Sequence, residues 1–549
     1  MLSKIVEFLL RRSEEKDRAR ALEQERARRA QSPISLTEAH TDALRRLDQR
    51  PSITMGRLRP SLVPIDVAEE IALAHAIVVG STGSGKTRFL IGFLLDQMAR
   101  GLAGRSSGQR QLGFETEVLD PKAETAIVLQ QYLAALWLRL NDDARETLAS
   151  AIYTIDWSRD AITPSAPYDN RAQVVSDPYK AHLITDVTIE SSRQVYSEPL
   201  RQLLYMWTWL LIDLRFPANF AFAERFFRDE PFRRRMLEKV GSSDVRQYFG
   251  AMKSVVAEQT QGAFLRRLQA DLSFPENRYA VGVPPENLDR FPKPEDAQLV
   301  IGNFGCSNVL PQSLGLSRAT WRAIAVLLDA PRRRSRTKKT IVFEELALLL
   351  SASTELMEIL MTSLRTLRSV GVGLLLASQD LASSLPKNAV RNIVLNTRWS
   401  ATFQSRADEA ELLFSHVLAD PTDRRSPADR HRSFLRDIQT MPRQDFWLTI
   451  KGGYPALPAR SLDLPDPGRD LHRSDEELAE IYRREIGRRS MLTTKEAADA
   501  IAAWEAAVVA REEVAPTKNK PHHHTAGSVN DLLQQLSVPM EEGDTSGDE

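Results

Sequence analysis

Short apolar runs ending in glycine, acid or amide residues alternate along much of the chain with longer segments of helical spacing. Residues 76–79 form such a run ahead of a glycine-rich stretch, and residues 88–98 then carry apolar side chains at helical intervals. Residues 117–120 end a second strand and residues 151–156 form a third. Strands alternating with helices are the pattern of a parallel α/β sheet. From about residue 176 to 275 the strand signal fades. Residues 197–216 and 242–273 read instead as helices rich in Leu, Arg and Gln. Strands resume at 298–301, 340–343, 373–377 and 399–403, so the helical stretch reads as a domain inserted into the sheet domain.

The expected organisation is a charged helical N-terminal segment (1–50), an α/β domain in two parts (51–175 and 276–465) around an all-helical insertion (176–275), a C-terminal helical region (466–513) and a disordered, polar and acidic tail (514–549). That tail lacks the apolar content to fold alone. The charged stretch 11–30 reads as a solvated helix, either a plain surface helix or one lying against a membrane or partner.

Composition narrows the function classes. Lys+Arg and Asp+Glu both number 73 in 549 residues, so a nucleic-acid surface has to be a local patch. The single cysteine, Cys306, excludes an intramolecular disulfide framework and a cysteine-based metal site, which suits a cytoplasmic compartment. The longest apolar run, 203–212, is far shorter than the roughly 20 residues a membrane span needs, and the apolar stretch at 5–10 is too short and interrupted for a secretory signal.

Candidate chemistry begins with Gly80-Ser81-Thr82-Gly83-Ser84-Gly85-Lys86-Thr87, a complete G-x-x-x-x-G-K-[ST] match between a strand and a helix. Glycines let backbone amides curl around a phosphate, and the helix N-terminus favours its charge. Lys86 is then the ligand of the β- and γ-phosphates of ATP, and Thr87 a ligand of Mg²⁺. A second signal is the apolar strand 340–343 ending in Glu344 and Glu345. The first acid of such a pair holds the Mg²⁺ shell, and the second polarises the attacking water. Glu344 occupies the position where Asp is usual, one methylene longer. Gln379, at the tip of the strand 373–377, is placed to sense a γ-phosphate, although a loop glutamine is also an ordinary feature.

Several segments taken in order resemble the type IV secretion coupling proteins, the conjugative DNA-transfer ATPases of the TraD/TraG type within the HerA–FtsK superfamily. The segment Val118-Leu119-Asp120-Pro121-Lys122-Ala123-Glu124 resembles that family's Asp-x-Lys strand end. The block from Arg368 through Gly371 and Gly373 to Gln379-Asp380 resembles its Arg…Gly…Gln block, and Asn396-Thr397-Arg398 its Asn-containing segment. The likeness covers roughly residues 60–465. It implies a RecA-like P-loop ATPase domain with an inserted all-helical domain, working as a ring, a hexamer, that moves DNA with ATP and Mg²⁺. It also implies that Arg368 reaches the neighbouring subunit's nucleotide, with Arg365 one helical turn earlier as the alternative, and that Asp120 and Lys122 lie near the site. The family's N-terminal membrane anchor has no counterpart, so the expected location is cytoplasmic or peripheral at the inner membrane, with a membrane or secretion-channel subunit as partner.

Three basic clusters are candidate DNA surfaces or simple solubilising charge: Arg225, Arg228 and Arg233-Arg234-Arg235 interleaved with Phe226, Phe227 and Phe232; residues 332–339; and Arg424-Arg425 with Arg430 and Arg432. His522-His523-His524 reads as a spacer rather than a metal site, and residues 529–536 as a short amphipathic docking patch. Two rival functions stay open. One is a secretion or pilus ATPase with non-DNA cargo. The other is a slowly hydrolysing, nucleotide-gated scaffold that recruits substrate to a membrane channel.

Overall fold

The computed structural model describes residues 52–510, apart from 60, 107–113, 157–160, 163–176, 193–195, 253–255, 274, 285–286, 288–290, 292–296, 306–311, 333–337, 407, 410, 412–425 and 453. The N-terminal helix, the tail with its histidine triplet and amphipathic patch, Cys306, Arg424-Arg425 and most of the cluster at 332–339 therefore lie outside the described residues.

In chain order the strands are β1 (Ser52–Leu58), β2 (Pro64–Ala68), β3 (Ala76–Val79), β4 (Phe114–Asp120), β5 (Ile152–Asp156), β6 (Ala161–Ile162), β7 (Leu299–Asn303), β8 (Lys338–Phe343), β9 (Val372–Ser378), β10 (Trp399–Phe403), β11 (Asp445–Ile450), β12 (Leu457–Arg460) and β13 (Leu492–Thr493). Eleven of them form one sheet in the order β2-β1-β12-β11-β10-β3-β9-β8-β4-β7-β5. From β10 to β5 every pairing is parallel; from β10 outward to β2 every pairing is antiparallel. This antiparallel edge lies outside the strands expected from the sequence. Its members show no helix-alternating rhythm, which was the signal that marked the others.

Both faces of the parallel part are buried, as crossover helices require. In β3, Ala76 and Val78 face one apolar core, which includes Leu90 and Leu94 of the helix Lys86–Ser106 and Leu129 and Leu133 of the helix Glu124–Leu138. Ile77 and Val79 face the other, with Ile324 of Gln312–Asp329 and Leu360 of Thr354–Thr366. The alternation follows from the two-residue period of a strand.

Between β6 and β7 the chain forms a helical body with its own core. Trp207, on the helix Glu198–Leu214, is fully buried, with the rings of Phe222, Phe226, Phe227 and Phe264 at 5.6–5.8 Å. Among the described residues, the helical stretch expected over 242–273 carries Ser243–Gly250 and Glu258–Leu272 as separate helices. The molecule is thus a RecA-like α/β domain with a helical insertion. Among the described residues, no helix is long and apolar enough to cross a membrane.

The segment after β12 ties these parts together. Tyr132 donates to the Pro465 carbonyl at 2.7 Å, and the fully buried Tyr482 hydroxyl lies 2.7 Å from Thr154 Oγ1 on β5. Farther on, Trp504 packs edge-on against Phe216 at 5.2 Å, and Asn219 Nδ2 donates to Glu505 Oε1 at 2.7 Å. The helix Thr494–Trp504 therefore completes the core of the insertion.

At the N-terminal edge of the parallel strands, β9 approaches the turn before β3 very closely. A Cβ at Gly373 would lie 2.0 Å from the Leu73 carbonyl oxygen. Beside it the buried His75 accepts a hydrogen bond from the Leu374 amide at Nδ1, 3.0 Å, and burial, then the charge of Arg368, lowers its pKa to about 4. Replacing Gly373 by Ala sets a side chain against backbone that cannot yield without shifting β3. We expect a loss of about 1–3 kcal/mol, read as a lower denaturation midpoint at unchanged m-value.

Candidate functional site

The C-terminal ends of β3, β9, β8 and β4 meet in one cleft, where ligands of an open α/β sheet sit. From β3 the chain enters the glycine-rich turn. Gly83 and Gly85 adopt φ of 79° and 108°, and a Cβ at Gly85 would lie 2.7 Å from Gln444 Cα, so only glycine serves there. The turn is fixed from both sides. Gly80 N donates to the Ser378 carbonyl at 3.3 Å, and Ser81 donates through N and Oγ to the Gln404 carbonyl at 2.8 and 2.9 Å. Gln444 N donates to the Ser84 carbonyl at 2.7 Å. The following helix is anchored by Phe89, whose ring packs on Phe446 at 5.1 Å and Phe403 at 5.8 Å.

Lys86 opens that helix. Its ammonium is buried, forms no hydrogen bond among the described residues, and stands 3.7 Å from Glu344 Oε2 and 3.6 Å from Glu345 Oε1. Glu344 is 3% exposed and accepts a 2.5 Å hydrogen bond at Oε1 from the Thr125 hydroxyl. That contact anchors the longer side chain found where Asp is usual. Glu345 has a φ of 50°, a left-handed conformation that costs a non-glycine residue energy and concentrates at functional sites. Its Oε1 accepts from Gln379 Nε2 at 2.5 Å, and Gln379 Oε1 accepts from the Thr82 hydroxyl at 2.7 Å. A continuous chain of side chains therefore joins the phosphate turn to the β8 acid through the tip of β9.

Asp120, at the end of β4, lies 1% exposed beside Glu344. Its carboxylate accepts the amides of Lys122 and Ala123 at Oδ1 (3.0 and 2.9 Å) and of Thr125 and Ala126 at Oδ2 (2.8 and 2.9 Å). These include donors left unpaired at the start of the helix Glu124–Leu138. Burial, then the charge of Glu344, pushes the Asp120 carboxyl up to about 7 against the pull of those amides. Lys122 Nζ lies 3.2 Å from Glu345 Oε2.

The structure thus brings together Lys86, Glu344, Glu345, Gln379, Asp120 and Lys122, with Thr87 half-buried on the first turn of the P-loop helix. It does not bring Arg368 to them. Arg368 is exposed in the turn Leu367–Val370 before β9, at the opposite edge of the sheet, and Arg365 is exposed nearby. Neither forms an ion pair among the described residues, and neither reaches this chain's own cleft.

The arginine-rich cluster of the insertion is committed within the chain. Arg225, Arg228 and Arg234 pair with Asp229, Glu224 and Glu230, each one helical turn away, at 3.0–3.4 Å. Arg233 is buried and donates to the Phe226 and Phe227 carbonyls, while Phe226 and Phe232 are core residues. Lys338 and Lys339 pair with Glu69 and Glu117, and Arg432 with Asp429.

Residues the sequence did not single out also shape the cleft. Thr125 fixes Glu344 across β4 and β8, a contact with no local signature. Glu409, after β10, accepts the Ala382 amide at 2.6 Å and so ties the segment beyond Gln379 to the one that holds Ser81.

The cleft fits a magnesium nucleotide. Its positive-φ glycines cradle phosphate, and the unbonded ammonium of Lys86 is the group a phosphate would engage. Thr87 and Glu344 carry the oxygen donors Mg²⁺ prefers. Fold and cleft together have the form of a RecA-like P-loop protein.

No protein-family model matches the chain, and no curated protein matches it. Among solved structures it is similar to the bacterial conjugative coupling protein TrwBdeltaN70 (12% identity, 78% of this chain and 92% of that one, TM-score 0.45). It is also similar to VirB4 of Thermoanaerobacter pseudethanolicus (12% identity, 76% and 98%, TM-score 0.47). A third likeness is to the cytoplasmic domain of the Thermomonospora curvata type VII secretion ATPase EccC (12% identity, 82% and 35%, TM-score 0.28). These identities and scores are too low to transfer any residue's role.

Glu409 makes the segment beyond Gln379 sensitive to pH. Burial above all, then the charges of Asp408 and Asp380, raises its carboxyl from 4.5 to about 7. The folded state therefore holds this proton more tightly than the unfolded chain. The stability it contributes is full below about 4.5 and is lost as pH rises toward about 7. Thermal midpoints across that range should fall for wild type relative to Glu409→Gln, and a constant gap between the two would contradict this.

Proposed function

We propose that the chain is an ATP-driven DNA translocase, a coupling-protein-like ring motor. The carrying observation is the convergence of Lys86, Glu344, Glu345 and Gln379 at the ends of three neighbouring strands, next to a phosphate-shaped glycine turn. Lys86 binds the β- and γ-phosphates. Thr87 and Glu344 would hold Mg²⁺, which when bound would neutralise charge on the phosphates. Glu345 polarises the attacking water, and Gln379 couples the state of the γ-phosphate to Thr82 and Glu345. Arg368 is exposed at the sheet edge opposite its own cleft; in this reading it serves as an arginine finger for a neighbouring subunit, and turnover depends on assembly of a ring, a hexamer. DNA is the cargo, bound without sequence preference, and a membrane or secretion-channel subunit is the partner at the inner membrane.

The slow scaffold has one observation in its favour. Both oxygens of Glu345 are already engaged, by Gln379 and by Lys122, so the base is restrained before any nucleotide arrives.

Steady-state ATP hydrolysis with and without DNA separates the two. A motor shows DNA-raised turnover that falls with added salt. Glu345→Gln should cut kcat by about 10²–10⁴, and Arg368→Ala by about 10³ or more, with nucleotide still bound in both. Turnover indifferent to DNA, with ATP bound, would sink the DNA-pump reading.

A further inference from the structure

Lys122 belongs neither to the glycine turn nor to the β8 acids, yet its ammonium lies closer to Glu345 than that of Lys86 does, 3.2 Å against 3.6 Å. The two cations meet different oxygens. Lys86 and Gln379 approach Oε1, and among the described residues Lys122 is the cation that approaches Oε2.

The position of Lys122 follows from a stiff turn. Asp120 accepts its amide, and Ala123, next along, is held at a φ of 69°. Behind the turn Gly305 packs so tightly that a Cβ there would lie 2.7 Å from the Lys122 carbonyl carbon and 2.2 Å from Ala123 Cβ. The Lys122 side chain therefore starts from fixed backbone, and although 40% exposed it reaches a Glu345 carboxylate that is only 12% exposed. Glu345, at the other end of the contact, is itself held in a left-handed conformation at the end of β8. A bound triphosphate engages Lys86, which leaves Lys122 as the cation of Glu345.

We propose that Lys122 is the positioning residue of Glu345, fixing Oε2 while Gln379 fixes Oε1, so that the carboxylate faces the attacking water in one orientation. This rests on the ATPase reading.

The test uses the full chain as wild type, Lys122→Met, Lys122→Arg, Glu345→Gln and the Lys122→Met/Glu345→Gln double variant. Turnover, affinity for a non-hydrolysable ATP analogue, and the thermal midpoint without nucleotide are measured for each. We expect Lys122→Met to lower kcat about tenfold, a part of what the base contributes, with KM and analogue affinity unchanged. Lys122→Arg should recover most of the loss. In the Glu345→Gln background Lys122→Met should change neither kcat nor the midpoint further, since the two side chains act as one unit. Weaker analogue affinity in both backgrounds would make Lys122 a phosphate ligand instead. Additive effects would make it independent of Glu345, and a rise in kcat would make it a brake; each overturns the proposal. A wild type with no turnover sinks the ATPase reading, and the midpoint cycle then reports on the pair by itself.

Discussion

The buried ammonium of Lys86 is the constraint around which the cleft is organised. A cation taken out of water and given no hydrogen bond is costly unless opposite charge stands close by. Glu344 and Glu345 supply that charge at under 4 Å, and β8 delivers them because it lies one strand away from β3, with β9 between. Parallel pairing makes this arrangement inevitable. All three strands end at the same edge, so a turn after one, two acids after another and an amide after the third must converge. The same edge then accumulates carboxylate. Asp120 and Glu344 are both almost fully buried, and burial first, then the charge of Glu344, pushes the Asp120 carboxyl up. A divalent cation beside them would offset part of that cost.

Connection among the loops matters as much as charge. Thr82, Gln379, Glu345 and Lys122 form one path of contacts across β3, β9, β8 and the turn after β4. None of these groups can move far without altering the next. The Gln404 carbonyl binds the segment after β10 to Ser81 at the start of this path, and the Glu409 carboxylate binds it to Ala382, just beyond Gln379. A phosphate that drew Thr82 or Lys86 toward itself would change the contacts made by Glu345.

Much of this was legible in the sequence, for identifiable reasons. The glycine turn, the β8 acids and Gln379 follow strand ends directly, so local order along the chain reports them, and β3 and β10 were delimited to the residue. The antiparallel strands β1, β2, β11 and β12 were not, since they lack intervening helices to frame them. Thr125 and Glu409 act across about 219 and 27 residues of chain, and nothing in their neighbourhoods announces it. The arginines of the insertion are a different case. Glu224–Arg228, Arg225–Asp229 and Glu230–Arg234 are each spaced by four, a pattern that already pairs them on a helix. Read together with the interleaved phenylalanines, that spacing describes an amphipathic pair of helices whose exposed arginines are paired along the surface.

The cleft is joined to the rest of the molecule through the segment after β12. Arg88, immediately after Thr87, pairs with Asp463 at 3.2 Å. From that point the chain runs past Tyr132 and through the fully buried Tyr482 to Trp504, inside the core of the insertion. The helical insertion is thus held twice, by the two chain crossings between it and the sheet and by this returning segment. A body held at separated points responds as a unit when the P-loop helix shifts, because packed interiors transmit displacement rather than absorb it. Coupling in the strict sense requires that the returning segment have two arrangements biased by the nucleotide. Its π-helical turn at Tyr482–Ile486 buries Tyr482 and Ile486 and is pinned to β5 through Thr154, so a second arrangement there would have to break that contact.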